Sequence, residues 1–125
     1  MAGLDANVVL LMHFNGDDEG TTFTDSSASA HSFSADGTQA QTDTAIKKFG
    51  TASLLLDGSD YLTTATHADW EFGDGDFTID VWVYPSNVAG DNAICSSGGL
   101  GGWCLYASTS FPGATGVGFA SASPG

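Results

Sequence analysis

The chain carries almost no positive charge. It has no arginine and two lysines, Lys47 and Lys48, against fifteen acidic residues, giving a formal net charge of −13 over 125 residues. Binding along a phosphate backbone needs Lys and Arg, so nucleic acid is excluded as a partner. Anionic membrane surfaces are excluded for the same reason. An acidic surface of this kind stays soluble, repels copies of itself at low salt and attracts divalent cations. Solubility in salty water is the simpler reading. No apolar run approaches the ~20 residues of a membrane helix, and the longest, Val8–Met12, has the length of a strand. The start, Met1-Ala2-Gly3-Leu4-Asp5, has no basic region and no signal-type apolar stretch. Assembly in the cytoplasm, or release as part of something larger, fits that start, and a virus particle satisfies both. His13, His31 and His67 are widely separated, without zinc-ligand spacing. Phosphate loops, nucleophile elbows and EF-hand loops are absent from the sequence.

What is abundant is glycine, at 17 residues, together with Ser, Thr and Ala, which suits short strands and tight turns rather than helices. At this length one domain spanning residues 1–125 is expected, with a modest core. The clearest strand signal runs from Phe77 to Tyr84. Phe77, Ile79, Val81 and Val83 alternate with Thr78, Asp80, Trp82 and Tyr84. Gly73-Asp74-Gly75 precedes the run and Pro85 stops it. One wholly apolar face and one mixed face predict a central strand of an antiparallel sandwich. A charge placed at Val81 is then expected to prevent folding.

Other strands are expected over Val8–Phe14, Thr21–Phe23, His31–Ala35, Ala52–Leu56, Tyr61–Ala65, Ala93–Ser96, Trp103–Tyr106 and Val117–Ala122, with Thr38–Thr44 as an edge strand or loop. Asp36-Gly37 reads as a hairpin-type turn. Asp57-Gly58-Ser59-Asp60 reads as the turn of a hairpin joining Ala52–Leu56 to Tyr61–Ala65. A single helical turn is expected over Thr66–Phe72, capped by Thr66, with Trp70 tucked beneath it.

Three stretches together resemble laminin-G-like domains of the concanavalin A-like lectin and glucanase superfamily. The first is Trp70-x-Phe72-Gly73-x-Gly75-Asp76-Phe77-Thr78-Ile79-Asp80-x-Trp82-Val83. The second is Leu10-Leu11-Met12-His13-Phe14-Asn15-Gly16 with Phe23-Thr24-Asp25-Ser26-Ser27. The third is Lys48-Phe49-Gly50-x-Ala52-Ser53 with Leu56-Asp57-Gly58-x-Asp60-Tyr61-Leu62. They span most of residues 8–108, and in texture they are similar to versions from tailed phages and environmental bacteria. The resemblance implies an all-β, antiparallel β-sandwich of jelly-roll type, short of the family's C-terminal strands. Missing strands leave sheet edges open, so association with copies of itself or with a larger particle subunit is expected. The superfamily holds lectins, enzymes, adhesion modules and virus-particle proteins, so the fold alone does not assign the function.

Glycosidases need two carboxyl groups, about 5–5.5 Å apart for retention or about 6.5–9.5 Å for inversion. Laminarinase-type relatives carry Glu-x-Asp-x-x-Glu on one strand face, whereas here Asp80 has Thr78 and Trp82 beside it. Asp76 lies about 13 Å from Asp80 along a strand. Catalysis is therefore not expected. Sugar binding needs aromatic platforms with hydrogen-bonding groups nearby. Asp80, Trp82 and Tyr84 at about 7 Å steps fit a shallow saccharide platform, with Trp103 as a groove border. The competing reading packs Trp82 into a second layer of the sandwich.

Calcium takes six to eight oxygen ligands. Asn15, Asp17 and Asp25 belong to an oxygen-rich region around the opening turn, where the resemblance implies a structural Ca2+. The family usually has Asp in place of Asn15 and a further ligand in a C-terminal segment absent here. In the second hairpin, setting Cys95 opposite Cys104 places Ile94, Trp103 and Leu105 together on the other face, as a core requires, and brings the cysteines within reach of a disulfide. Cytoplasmic assembly would start them reduced. The expected core comprises Leu11, Phe14, Phe49, Leu54, Leu56, Leu62, Phe77, Ile79, Val81, Val83, Ile94 and Leu105. Taken together, these readings give a non-catalytic adhesion or carbohydrate-binding module on a virus particle, facing a glycan or cell-surface polysaccharide. The alternatives are a structural particle subunit without glycan binding and a fragment of a secreted glycan-processing enzyme.

Overall fold

A computed structural model describes residues 5–86, 89–98, 102–108 and 116–121, except for the side chain of Asp91. The glycine-rich tip at 99–101, part of the 86–91 loop and the end of the last expected strand lie outside the described residues. The described residues form seven antiparallel strands and one three-residue 3-10 helix. The chain divides into two compact units, Met1–Thr66 and His67–Gly125.

In the first unit, β1 (Phe33–Asp36) pairs with β4 (Tyr61–Thr64), and β2 (Gln41–Asp43) pairs with β3 (Ser53–Leu55). The hairpin expected between Ala52–Leu56 and Tyr61–Ala65 does not form. Instead the two pairs are successive parts of one bent ribbon. Between Asp36↔Tyr61 and Gln41↔Leu55, four residues on one side face five on the other, an offset that breaks the ladder and bends it. Both turns sit at that bend. Gly37 has φ +93° and Gly58 φ +101°, the left-handed region open to glycine. Asp57 accepts from the Ser59 N–H at 2.9 Å and from its hydroxyl at 2.8 Å, closing an Asx turn.

The expected first strand, Val8–Phe14, carries only the isolated bridge Met12↔Asp25, and the expected Thr21–Phe23 strand carries none, the bridge Thr24↔Ser32 falling just after it. Phe14 has φ +53°, which ends an extended run. The buried residues of this unit are small or polar apart from Phe23: Asp25, Ser27, Ala40, Thr42, Ala52 and Asp60.

The second unit opens with the 3-10 helix Ala68–Trp70. Its N-cap is His67 rather than Thr66, because His67 Nδ1 accepts the Asp69 N–H at 3.1 Å. A three-stranded sheet follows in the order β5 (Asp91–Ser96), β6 (Trp103–Ser108), β7 (Gly116–Ser121). Alternation along β6 places Trp103, Leu105 and Ala107 on one face, opposite Ser121, Phe119 and Val117 of β7. The expected register of β5 on β6 holds from Asp91↔Ser108 to Ala93↔Tyr106. A bulge at Ile94 then shifts it, so that Cys95 faces Leu105 and Ser96 faces Cys104. Both cysteines are free thiols. Burial, and then the neighbouring Cys104, pushes the Cys95 thiol above its ordinary value.

The alternating stretch 77–84 forms no strand ladder. Its apolar members are not enclosed: Phe77 is 47% exposed, Val81 45% and Val83 48%. Phe72 and Phe77 stack at 4.3 Å, Phe72 stacks on Trp103 at 4.7 Å, and Phe77 meets Phe119 at 5.2 Å. The stretch is thus tied by ring contacts to the Trp103 face of the sheet instead of hydrogen-bonding along an edge. The expected core also fails. None of its twelve residues is fully buried, and Phe49 is 66% exposed.

Candidate functional site

The platform residues Asp80, Trp82 and Tyr84 all lie on this unladdered stretch and all are exposed, Trp82 at 65% and Tyr84 at 77%. Trp82 therefore does not fill a second buried layer. Trp103 has a different placement. It is half-buried, its ring lies between Phe72 and Phe119 at 4.7 and 6.0 Å, and its indole N–H donates to the Trp70 carbonyl at 2.8 Å. It works as the centre of an aromatic stack whose hydrogen bond fixes the 3-10 turn to β6. That constraint holds the start of the 72–84 stretch in position.

Beside the platform runs a groove of about 420 Å³ lined by Thr78, Ile79, Asp80, Val81, Val83, Ile94, Leu105 and Val117. Its walls are apolar apart from Thr78 and Asp80. Ile94 enters it at the bulge, a displacement the sequence pattern did not reveal, since nothing local marks a bulge there. The site as a whole offers two exposed aromatic rings, one exposed carboxylate and an adjoining apolar channel. It can stack on flat apolar faces and accept hydrogen bonds from hydroxyls.

The candidate metal ligands lie in the first unit. Asp25 is buried and both its oxygens are engaged. Oδ1 accepts the N–H groups of Leu11 at 3.0 Å and Ser27 at 2.9 Å. Oδ2 accepts the Ser27 hydroxyl and the His31 N–H, each at 2.9 Å. Burial alone would raise its pKa. The backbone donors Leu11, Ser27 and His31, with the Ser27 hydroxyl, outweigh burial and hold the carboxyl below its ordinary value. Asn15 Oδ1 accepts the Thr51 N–H at 2.8 Å, and Thr51 Oγ1 accepts the Gly16 N–H at 3.2 Å.

Asp17 is exposed, and its carbonyl accepts the Thr42 hydroxyl at 2.6 Å. Thr42 is almost wholly buried and holds the acidic turn from three sides. Its N–H donates to Gly20 and its carbonyl accepts from Glu19, each at 2.8 Å. A Cβ on Gly20 would come within 2.6 Å of Thr42 Oγ1. This buried threonine was not legible in the sequence, where it stands in a polar run. The geometry gives Asn15 and Asp25 the role of backbone acceptors, with the oxygens a cation would need committed to N–H and O–H donors.

No family model, curated protein or solved structure matches the chain. Among the described residues no helix is long and apolar enough to cross a membrane.

Proposed function

We propose that the chain is a non-catalytic adhesion module that binds a glycan through Asp80, Trp82 and Tyr84. Its frame is the jelly-roll sandwich that the laminin-G-like resemblance implies, displayed on a virus particle or comparable assembly. The observation that carries this reading is the exposure of Trp82 and Tyr84 at two-residue spacing with Asp80 beside them. Large aromatics left on a surface cost apolar hydration, and stacking against the apolar face of a sugar ring relieves it. Asp80 supplies an acceptor for sugar hydroxyls. Trp103 lies between Phe72 and Phe119 and bonds the Trp70 carbonyl, a role separate from the exposed platform. Calcium at Asn15, Asp17 and Asp25 plays no part in this reading.

A glycan array probed with the 125-residue chain tests the proposal. Binding to a defined set of saccharides is expected, and Trp82→Ala with Tyr84→Ala should lower affinity by more than about tenfold, or about 1.4 kcal/mol. Base–aromatic and sugar–aromatic stacks alike draw on flat apolar contact, so each ring should contribute measurably alone. An array with no binding above background would reject it.

One observation favours a second reading, a structural particle subunit without glycan binding. The apolar groove with the half-exposed Val81 and Val83 and the more exposed Val117 forms a surface that a neighbouring subunit could cover. On this reading Trp82→Ala leaves glycan behaviour unchanged, and Val83→Asp alters sedimentation instead.

A further inference from the structure

The bend of the first-unit ribbon collects acidic side chains in an arrangement that the glycan reading does not use. Asp60 is only 6% exposed. Its Oδ1 accepts the Thr38 N–H at 2.9 Å and the Gln39 N–H at 3.3 Å, tying the turn at 57–60 to the turn at 37–39. Its Oδ2 is buried and has no hydrogen-bond partner. A carboxylate oxygen shut away from water without a partner is costly. The Asp57 carboxylate lies against Asp60, contacting both its side chain and its backbone N–H. Two carboxylates in contact repel unless a proton or a cation lies between them.

The surroundings favour the cation. The Ser59 N–H and hydroxyl donate to Asp57 Oδ1 at 2.9 and 2.8 Å, and the Gln39 side chain reaches Oδ2. Asp36 is close by, with its neighbour across the ladder, Tyr61, bonded to it through the phenol, and adds negative potential without adding a donor to the pair. The two lysines of the chain stand elsewhere in sequence, at 47 and 48. Gln39 reaches Asp57 Oδ2 through Nε2 at 3.3 Å, and turning the amide over would present its oxygen to the same point.

We propose that this bend is a binding site for a hard divalent cation of the calcium type, held between the unpartnered Asp60 Oδ2 and the Asp57 carboxylate, with Gln39 Oε1 and water completing the oxygen shell. The site is independent of the glycan platform and distinct from the opening turn. Two protein carboxylates and an otherwise open shell place it in the weak range, with Kd about 1 mM. Its effect is structural. By bridging the two sides of the bend, the ion fixes the offset that separates the β1–β4 ladder from the β2–β3 ladder.

Terbium, which replaces calcium in oxygen sites, provides the probe, with Tyr61 next to Asp60 as its sensitiser. Tyrosine-excited terbium emission should saturate with the unmodified chain, be displaced by calcium and resist sodium at matched ionic strength. Asp57→Asn, an exposed change that spares the Asp60 bonds to Thr38 and Gln39, should weaken binding by more than about tenfold. Asp17→Asn, in the opening turn, should leave it unchanged. Calcium should also raise the thermal midpoint of the unmodified chain and of Asp17→Asn but not of Asp57→Asn. Equal emission and equal thermal shifts in all three chains would mean diffuse counter-ion binding to an acidic surface and would overturn the site. Failure of calcium to displace terbium would overturn it as well.

Discussion

The two units of this chain are held together by different physics. In residues 5–66 the tertiary links are mostly hydrogen bonds to polar side chains. Asp25 gathers Leu11, Ser27 and His31, Thr42 gathers Asp17, Glu19 and Gly20, and Asp60 gathers Thr38 and Gln39. In the unit from residue 67 onward they are ring contacts on one face of a sheet, with Phe72, Phe77, Trp103 and Phe119 in a closed set. The contrast shows why so acidic a chain is not merely self-repelling. Several of its carboxylates are committed acceptors that replace missing apolar burial, because a buried acceptor with all its donors in place costs little while one stripped of them costs much.

The comparison breaks first at Asp25. Asp25→Ala removes the acceptor of the Leu11, Ser27 and His31 N–H groups, while the Ser27 hydroxyl keeps the Val9 carbonyl at 3.1 Å, and should cost about 3 kcal/mol, seen as a large loss of denaturant stability. Acid should reproduce part of that loss. Because the folded carboxyl titrates below its ordinary value of 3.8, its stabilisation is complete above that pH and is lost as pH falls through the folded value. A pH series of unfolding curves in which Asp25→Asn has a flatter acid limb than the unmodified chain would bear this out.

A middle-sized effect is expected in the other unit. Trp103→Ala removes two stacked partners and one hydrogen bond and should cost about 2–3 kcal/mol, less than for a fully buried ring. Trp103→Phe keeps the stack and loses the bond to the Trp70 carbonyl, at about 1 kcal/mol. If the two substitutions cost the same, the stack contributes nothing.

The smallest effect sharpens the comparison most. The alternating pattern of 77–84 predicts that Val81→Asp abolishes folding, whereas a half-exposed Val81 at the groove wall can turn a carboxylate to water. Val81→Asp should then cost less than about 1 kcal/mol. A chain that fails to fold with this substitution would restore the buried central strand.

Much of the local conformation was legible in the residues. Gly37 and Gly58 marked turns that the left-handed φ values require, Asp57 and Ser59 carried their Asx turn, and Ile94, Trp103 and Leu105 were assigned to a common face. Leu105 and Ile94 do line one groove. Pairing was less legible. Tyr61–Thr64 was correctly expected as a strand but given the wrong neighbour, because a turn signal states that the chain reverses and not which segment it meets. The thiol register was displaced at every pair it named, Cys95 facing Leu105 and Ser96 facing Cys104, because one extra residue at Ile94 is invisible to alternation. Asp80, Trp82 and Tyr84 share one exposed stretch, as their alternation suggested. The separate role of Trp103 was not legible, since its partners Phe72 and Phe119 are distant in sequence.

The sequence by itself determined the sign of the surface, the all-β character and the places where the chain turns. These follow from composition and from backbone preferences that act over a few residues. Only the tertiary structure decided which strands pair, where the bulge falls, that Thr42 and Asp60 are buried, and that the most strand-like stretch remains outside any ladder. Those outcomes depend on contacts between residues far apart in the chain. There the loss of apolar burial at Val81 and Val83 is weighed against ring stacking at Phe72 and Phe77, and alternation within one segment carries no record of that balance.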